Sequence, residues 1–304
     1  VLFQLRKLSD LLVTIVMVSP VYAGKLSIVI DDFGYRPEQE NRVLQMPAAI
    51  SVAVLPNAPH AREMATKAYQ RGHEVLIHLP MAPLSKHKQP LEKNTLSPDM
   101  SSEEIALIVR EAVVDVPFAV GLNNHMGSAM TSSLPGMQKV MQVLDRYNFY
   151  FLDSMTIGNS HSTRAAAGTS VKVIKRRVFL DDTQNEADIR QQFTRAVRLA
   201  QRDGSAIAIG HPHPTTVRVL QQMLLMLPAD IILVRPSQLL NEPQRGSNRP
   251  LPAEKPQPRN PFRGAEVCKV TVKPVPVTRA LGVIADSISN SPLVQSLKKN
   301  FFGK

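Results

Sequence analysis

Short apolar runs that end on a polar residue recur along this chain at the spacing of a strand followed by a helix. Leu26 to Ile30, Ile50 to Val54, Glu74 to His78, Ala119 to Leu122, Tyr150 to Asp153, Lys172 to Ile174, Ala206 to Ile209 and Ile231 to Val234 read as buried strands. Between them apolar residues fall at helical intervals, over His60 to Arg71, Ser101 to Val114, Gly136 to Tyr147, Glu186 to Arg202 and Thr215 to Met226. The clearest helix is Ser101 to Val114, where Ser101 and Glu104 make a capping box and Ile105, Ile108, Val109 and Ala112 form one stripe. This alternation predicts an α/β fold with a parallel sheet. Seven or eight units in about 215 residues suit a distorted (β/α) barrel better than an open doubly wound sheet. No G-x-G-x-x-G follows the first strand, which removes the dinucleotide fingerprint. Met81 to Pro98 is polar and proline-bearing, and reads as a loop over the rim, where specificity is usually carried.

The pattern stops after Leu240, where eight prolines from Pro243 to Pro276 are interleaved with Arg and Lys. Residues 24–241 are therefore expected to form the barrel, and 242–304 a Pro-rich basic tail that is mostly disordered, with a weak amphipathic patch over Leu281 to Val294. At the other end, Arg6 and Lys7 precede an apolar run from Leu11 to Val18, and Pro20-Val21-Tyr22-Ala23 ends in a small residue suited to signal peptidase. Residues 1–23 read as a cleavable signal peptide, which makes the protein periplasmic or secreted. The run is short and preceded by Asp10, whereas a bilayer span needs about 20 apolar residues. Of the net charge of +11, the tail supplies most, with 11 basic against 4 acidic residues from Glu242 onward. The near-neutral body argues against nucleic acid as a partner. The tail suits contact with an anionic envelope surface, or simple solvation. The single cysteine, Cys268, excludes an intramolecular disulfide and reads as an incidental thiol.

Four of the runs end on chemistry: Ile28-Val29-Ile30-Asp31-Asp32, Val75-Leu76-Ile77-His78, Gly121-Leu122-Asn123-Asn124-His125 and Ala206-Ile207-Ala208-Ile209-Gly210-His211-Pro212-His213. Side chains at the C-terminal strand ends of a parallel barrel converge on one rim, so these residues can share a site. Asp31 and Asp32 suit a division of labour, one ligating a divalent metal while the other takes a proton; a turn-forming cap is the plainer use of such a pair. Asp32, His78 and His125 make a two-His, one-carboxylate set with an open position, the arrangement of catalytic zinc. Asn123 and Asn124 can orient an imidazole or bind substrate. His211 and His213 could ligate a metal, but with three ligands already available His211 is the better candidate for general acid and His213 for a supporting or substrate-binding neighbour. Asp153 and Ser154, and likewise Asp181 and Asp182, can support the ligands, bind substrate or cap helices. His73 belongs to the opposite barrel end, and His60, His87 and His161 to helix starts or loops.

In order, Val29-Ile30-Asp31-Asp32-Phe33-Gly34, His78-Leu79-Pro80-Met81, Asn123-Asn124-His125-Met126-Gly127-Ser128, Phe151-Leu152-Asp153-Ser154 and Ile209-Gly210-His211-Pro212-His213 resemble the divergent polysaccharide deacetylase family of exported bacterial proteins. The resemblance spans roughly Lys25 to Leu240. It implies a distorted barrel of about seven parallel strands, related to carbohydrate esterases of the chitooligosaccharide deacetylase type. It further implies Asp31 as base, Asp32 as metal ligand and His211 as general acid. The H-x-x-x-H motif that supplies both imidazole ligands in better-understood relatives is absent here; His78 stands near the corresponding strand and His125 comes from the next. The activity implied is metal-dependent hydrolysis, with zinc as the metal, of acetyl groups on N-acetylated sugars. The partner implied is an envelope or extracellular polysaccharide, a peptidoglycan-like glycan among them. The alternative is a catalytically idle barrel that binds glycan or an envelope partner.

Overall fold

An apolar run without alternation has to be covered on both faces, and β2 (Ser51–Val54) and β3 (Val75–Met81) are buried at every position. The computed structural model of the chain describes residues 23–85 and 91–242. The chain divides into units 1–246 and 247–304, and the described residues belong to the first. The expected signal peptide, apart from Ala23, and the expected tail beyond Glu242 lie outside the described residues, as does His87.

One parallel sheet carries the fold. Its remaining strands are β1 (Gly24–Phe33), β4 (Ala119–Met126), β5 (Tyr150–Asp153), β6 (Val173–Lys175), β7 (Val178–Phe179), β8 (Ser205–Gly210) and β9 (Ile231–Leu233). Eight strands run in the order β6-β5-β4-β3-β2-β1-β8-β7, and β9 pairs with β1 beside that path. The two edge strands of this order, β6 and β7, are consecutive in the chain. Between them Arg176 N donates to Asp153 O at 3.0 Å and Arg177 N to Ile207 O at 2.8 Å. The sheet thus curls until two residues of backbone bridge its edges, a distorted barrel as expected, with eight strands in the curl rather than seven. The two-residue β7 is too short to announce itself as a strand in sequence.

Helices cover the outside: α1 (Pro37–Val43), α2 (Ala61–Gln70), α3 (Ser102–Asp115), α4 (Ser128–Ser132), α5 (Leu134–Asp145), α6 (Ser162–Ala165), α7 (Glu186–Asp203) and α8 (Pro214–Met223). In α3 the capping box is present, with Ser101 Oγ accepting from Glu104 N at 3.1 Å and Glu104 Oε2 accepting from Ser101 N at 2.7 Å. Its buried positions Ile105, Val109 and Ala112 are those of the stripe. Helix α7 starts on an Asn185 cap and stops at Gly204, which takes φ +86.

Side-chain alternation then decides which residues reach the barrel interior. Val29, Ala53, Leu76, Tyr150, Leu152, Ile174, Ile207 and Ile209 form an interior core, closed below by Val234 and Leu239. Ile28, Ile30, Ile77, Phe151 and Ala208 belong to a second core shared with the helices. Continuing the interior series by two residues along each strand gives Asp31 after Val29, His78 after Leu76, Ser154 after Leu152 and His211 after Ile209. At the opposite end Tyr150 donates to Glu74 Oε1 at 2.7 Å, and Ser237 donates to the same carboxylate. His73 lies there too, its ring nitrogens 2.7 and 3.2 Å from the carbonyls of Ile50 and Leu44.

Candidate active site

Alternation alone puts Asp31 inside and Asp32 outside. The β1–β2 register slips between Ile30 and Phe33, and Asp32 takes φ +58, so this bulge turns the second carboxylate back toward the rim. Both acids then share one site. Asp32 Oδ1 lies 3.3 Å from His78 Nε2 and 3.2 Å from His125 Nδ1, and the two nitrogens are 3.1 Å apart. Asp32 Oδ1 is buried, and neither imidazole is aligned with it as a hydrogen-bond donor. Zinc–ligand lengths of about 2.0 to 2.2 Å imply tetrahedral edges of about 3.3 to 3.6 Å, slightly longer than the 3.1 to 3.3 Å of this triangle. The donor set and the orphaned oxygen fit a divalent ion of the zinc type, and His78, His125 and Asp32 are one of the residue groups able to hold one.

Asn123 makes the neighbouring arrangement specific. Its Nδ2 donates to Asp31 Oδ1 at 2.8 Å, which turns its Oδ1 toward His78 Nδ1, also at 2.8 Å. Asn123 thus holds a proton on His78 Nδ1 and leaves Nε2, which faces Asp32 and His125, as the nitrogen for a metal. Burial lowers the His78 pKa, but the carboxylates of Asp31 and Asp32 outweigh it and raise the pKa. Burial raises the Asp31 pKa, an effect that His78, His211 and the Asn123 amide oppose without cancelling. For Asp32 burial also acts upward, yet the two imidazoles outweigh it and hold the carboxyl far below the ordinary carboxylate range.

His211 closes the site from β8. Its Nε2 is 3.9 Å from Asp32 Oδ2, and its Nδ1 is held 3.0 Å from Asp181 Oδ1. Asp181 Oδ2 accepts in turn from the His211 backbone N–H at 2.8 Å and from Thr216 Oγ1 at 2.7 Å. Burial lowers the His211 pKa, but the Asp181 carboxylate overrides it and the imidazole rises to about 9. Asp181, His211 and His213 also form a possible ligand group. There Asp181 already accepts three hydrogen bonds, and His213 Nδ1 lies 2.6 Å from Arg36 Nη1. Asp181 was one of several acids that sequence left open; its sign was the same as elsewhere, an apolar run, Val178-Phe179-Leu180, ending on an acid.

The remaining expected residues divide. Asn123 touches Asp31 and His78, and Ser154 Oγ lies behind it at 3.4 Å. Asn124 braces the rim: its Oδ1 accepts from Ser154 N at 2.9 Å and its Nδ2 donates to Met126 O at 2.6 Å. Asp153, expected to support the ligands, bind substrate or cap a helix, gathers its own loop. It is 0 % exposed, and its oxygens accept from Met155 N at 2.8 Å, Ser160 Oγ at 2.6 Å and Ser162 Oγ, which folds the loop after β5. Sequence gave no sign of Arg36, Arg176 or Glu40. Arg176 donates to the carbonyls of Ser154 and Met155 at 2.6 and 2.8 Å and lies 4.8 Å over the Phe179 ring, which is 5.3 Å from His211.

The sequence profile described as divergent polysaccharide deacetylase matches residues 28–240. The chain is 68 % identical over 279 residues to "Uncharacterized protein YibQ" of Escherichia coli K12, covering 91 % of this chain and 87 % of that protein. A Haemophilus influenzae Rd protein is 44 % identical over 211 residues, covering 69 % of this chain and 75 % of its own length. Among solved structures, a protein of Agrobacterium tumefaciens C58, ATU2773, shares the fold with a TM-score of 0.66 at 18 % identity, over 71 % of this chain and 89 % of that one.

Proposed function

This chain belongs to the divergent polysaccharide deacetylase family, and from that premise we propose that it is an exported, zinc-dependent hydrolase that removes acetyl groups from the N-acetylated sugars of an envelope polysaccharide. The observation that carries the reading is the triangle of Asp32 Oδ1, His78 Nε2 and His125 Nδ1, with edges of 3.1 to 3.3 Å around an oxygen that has no hydrogen bond of its own. Asp32, His78 and His125 would hold the zinc ion, which when bound would supply Lewis-acid chemistry to the acetyl carbonyl and to a water.

The protein's own groups supply the proton transfers. Asp31, fixed by the Asn123 amide and raised by burial, accepts the proton that the attacking water gives up. His211, kept protonated by Asp181, gives a proton to the departing amine nitrogen. Asp32 stays ionised between two imidazoles and so serves as ligand rather than proton carrier. Two neighbouring carboxylates are thereby set apart by environment, the usual means by which one site runs acid and base steps together. Export rests on the leader-like pattern of residues 1–23.

The test is metal analysis of the purified full chain together with acetate release from chitooligosaccharides and peptidoglycan fragments. Stoichiometric zinc with acetate release supports the enzyme. Bound zinc without release, on every N-acetylated glycan tried, favours a glycan-binding barrel instead.

A further inference from the structure

One wall of the site is an unbroken run of cationic and aromatic side chains. Arg176 lies over Phe179, Phe179 packs 5.3 Å from His211, His211 is 5.7 Å from His213 by ring centroids, and His213 Nδ1 accepts from Arg36 Nη1 at 2.6 Å. At its outer end this wall carries the exposed guanidinium of Arg36, hydrogen-bonded to His213. The Arg36 backbone N–H donates at 2.6 Å to Glu40 Oε1, a fully buried carboxylate that also takes the N–H groups of Gly34 and Tyr35 at 2.9 and 3.0 Å. Three successive amides closed on one oxygen fix the loop that leaves Asp32, and the His213 bond fixes the far end of the arginine.

Nothing among the described residues neutralises the charge so placed. No carboxylate lies within ion-pair distance of the Arg36 guanidinium, and its bonded partner is an imidazole acting as acceptor. Arg176 differs, since its guanidinium is consumed by two carbonyls and faces Asp182, Asp31 and Asp153. An arginine that gives up rotamer freedom without gaining a counter-ion is arranged for an anion arriving from outside, and its planar fork leaves N–H donors for a carboxylate. Two imidazoles, His213 and His211, lie between Arg36 and Asp32 along this wall.

The geometry points to Arg36 as a specificity-determining residue, which binds a carboxylate on the glycan and so directs this site to anionic N-acetylated glycans over neutral ones. This deepens the deacetylase reading and rests on it, because the anion is placed relative to the acetyl group being removed. The inference names a carboxylate-bearing glycan, and its chemistry is that of acidic sugars or of a lactyl ether.

The experiment compares binding of three defined oligosaccharides of equal length to the zinc-loaded full chain by calorimetry: a peptidoglycan tetrasaccharide, the same tetrasaccharide with its carboxyls reduced to alcohols, and chitotetraose. Wild type is expected to bind the carboxylated form about tenfold tighter than the reduced form at low salt, the size of one charge-assisted contact. In Arg36→Gln the ratio should fall to near one, and in Arg36→Lys it should recover in part, with thermal melts verifying that both variants are folded. Equal wild-type affinity for carboxylated and reduced forms overturns the inference, as does an Arg36→Gln variant that keeps the preference. Acetate release from chitotetraose by wild type, measured alongside, keeps the deacetylase reading standing if the preference alone is missing. Failure to bind or turn over any of the three overturns both.

Discussion

Replacing Asn123 with alanine removes two constraints at once: the acceptor that fixes the His78 tautomer and the donor that orients Asp31, each at 2.8 Å. A partner that orients a ligating histidine is typically worth about 10- to 100-fold in metal affinity, or roughly 1.4 to 2.7 kcal/mol. Because Asn123 is 0 % exposed, the His78 N–H and the Asp31 oxygen are left buried and unpaired, at about 1 to 3 kcal/mol each in folding stability. Asn123→Asp separates the two effects. It keeps an acceptor for His78 but sets a second carboxylate against Asp31, whose pKa burial already raises. Zinc affinity should then stay within about threefold of wild type, while acetate release at neutral pH falls by roughly 10² to 10⁴ as the base is lost. Zinc affinity is read by competition against a fluorescent chelator, with thermal melts as the folding control. An alanine variant that melts lower yet binds zinc as wild type does would show that Asn123 does not set the His78 tautomer. An aspartate variant that loses zinc as badly as the alanine would show that Asn123 merely fills space.

Zinc occupancy should collapse in Asp32→Ala, His78→Ala and His125→Ala, yet remain near normal in Asp31→Asn and His211→Ala, which lose turnover instead; full zinc in His78→Ala would refute the ligand assignment. A general acid works while protonated, so His211, raised to about 9, should sustain activity into mildly alkaline solution. In Asp181→Asn the burial of His211, which lowers its pKa, is opposed only by the more distant Asp32 and Asp31, and the alkaline limb of the pH–rate profile should move toward neutrality; an unmoved limb excludes His211 as the group titrating there. Gly34→Ala should cost at least about 2 kcal/mol in urea unfolding, because Gly34 sits at φ +115 with a Cβ position 2.5 Å from Ala58 Cβ, and a cost near zero would mean that the loop after Asp32 adapts freely. Removing residues 243–304 should leave the melting temperature of the body within a few degrees, since the proline-rich segment offers little apolar area to bury; a large drop would show that it packs on the barrel.

What sequence disclosed of this molecule follows from how far each signal reaches along the chain. The strand runs were legible because parallel strands are covered on both faces, and a polar residue ending such a run is conspicuous. Asp31, His78, Asn123 and His211 were visible in that way. The same signal could not separate Asp153 from them. An acid ending a strand looks alike whether it faces a rim or gathers its own loop, and only Ser160 and Ser162 downstream, which it binds, tell the two apart. Helix α1 escaped because Pro37–Val43 buries only Glu40 and Val43, too few for a stripe.

The bulge at Asp31 and Asp32 shows the same limit from the other side. Alternation forbids both carboxylates from facing one site, so the adjacent pair made sense chemically before it made sense sterically. The conflict is resolved by one register slip and a left-handed aspartate, neither of which has a residue signature of its own. Glu40 then fastens the loop that leaves the bulge, through three backbone amides and across 4 to 6 positions of sequence. The Arg36–His213 contact spans 177 positions, beyond any periodicity. The candidate site side chains were therefore readable one at a time, whereas the strain and long-range contacts that aim them exist only in the folded barrel. Asp32 depends on both: its type suits it to ligate a metal, and its left-handed backbone turns it to the rim, ahead of the loop that Glu40 fastens.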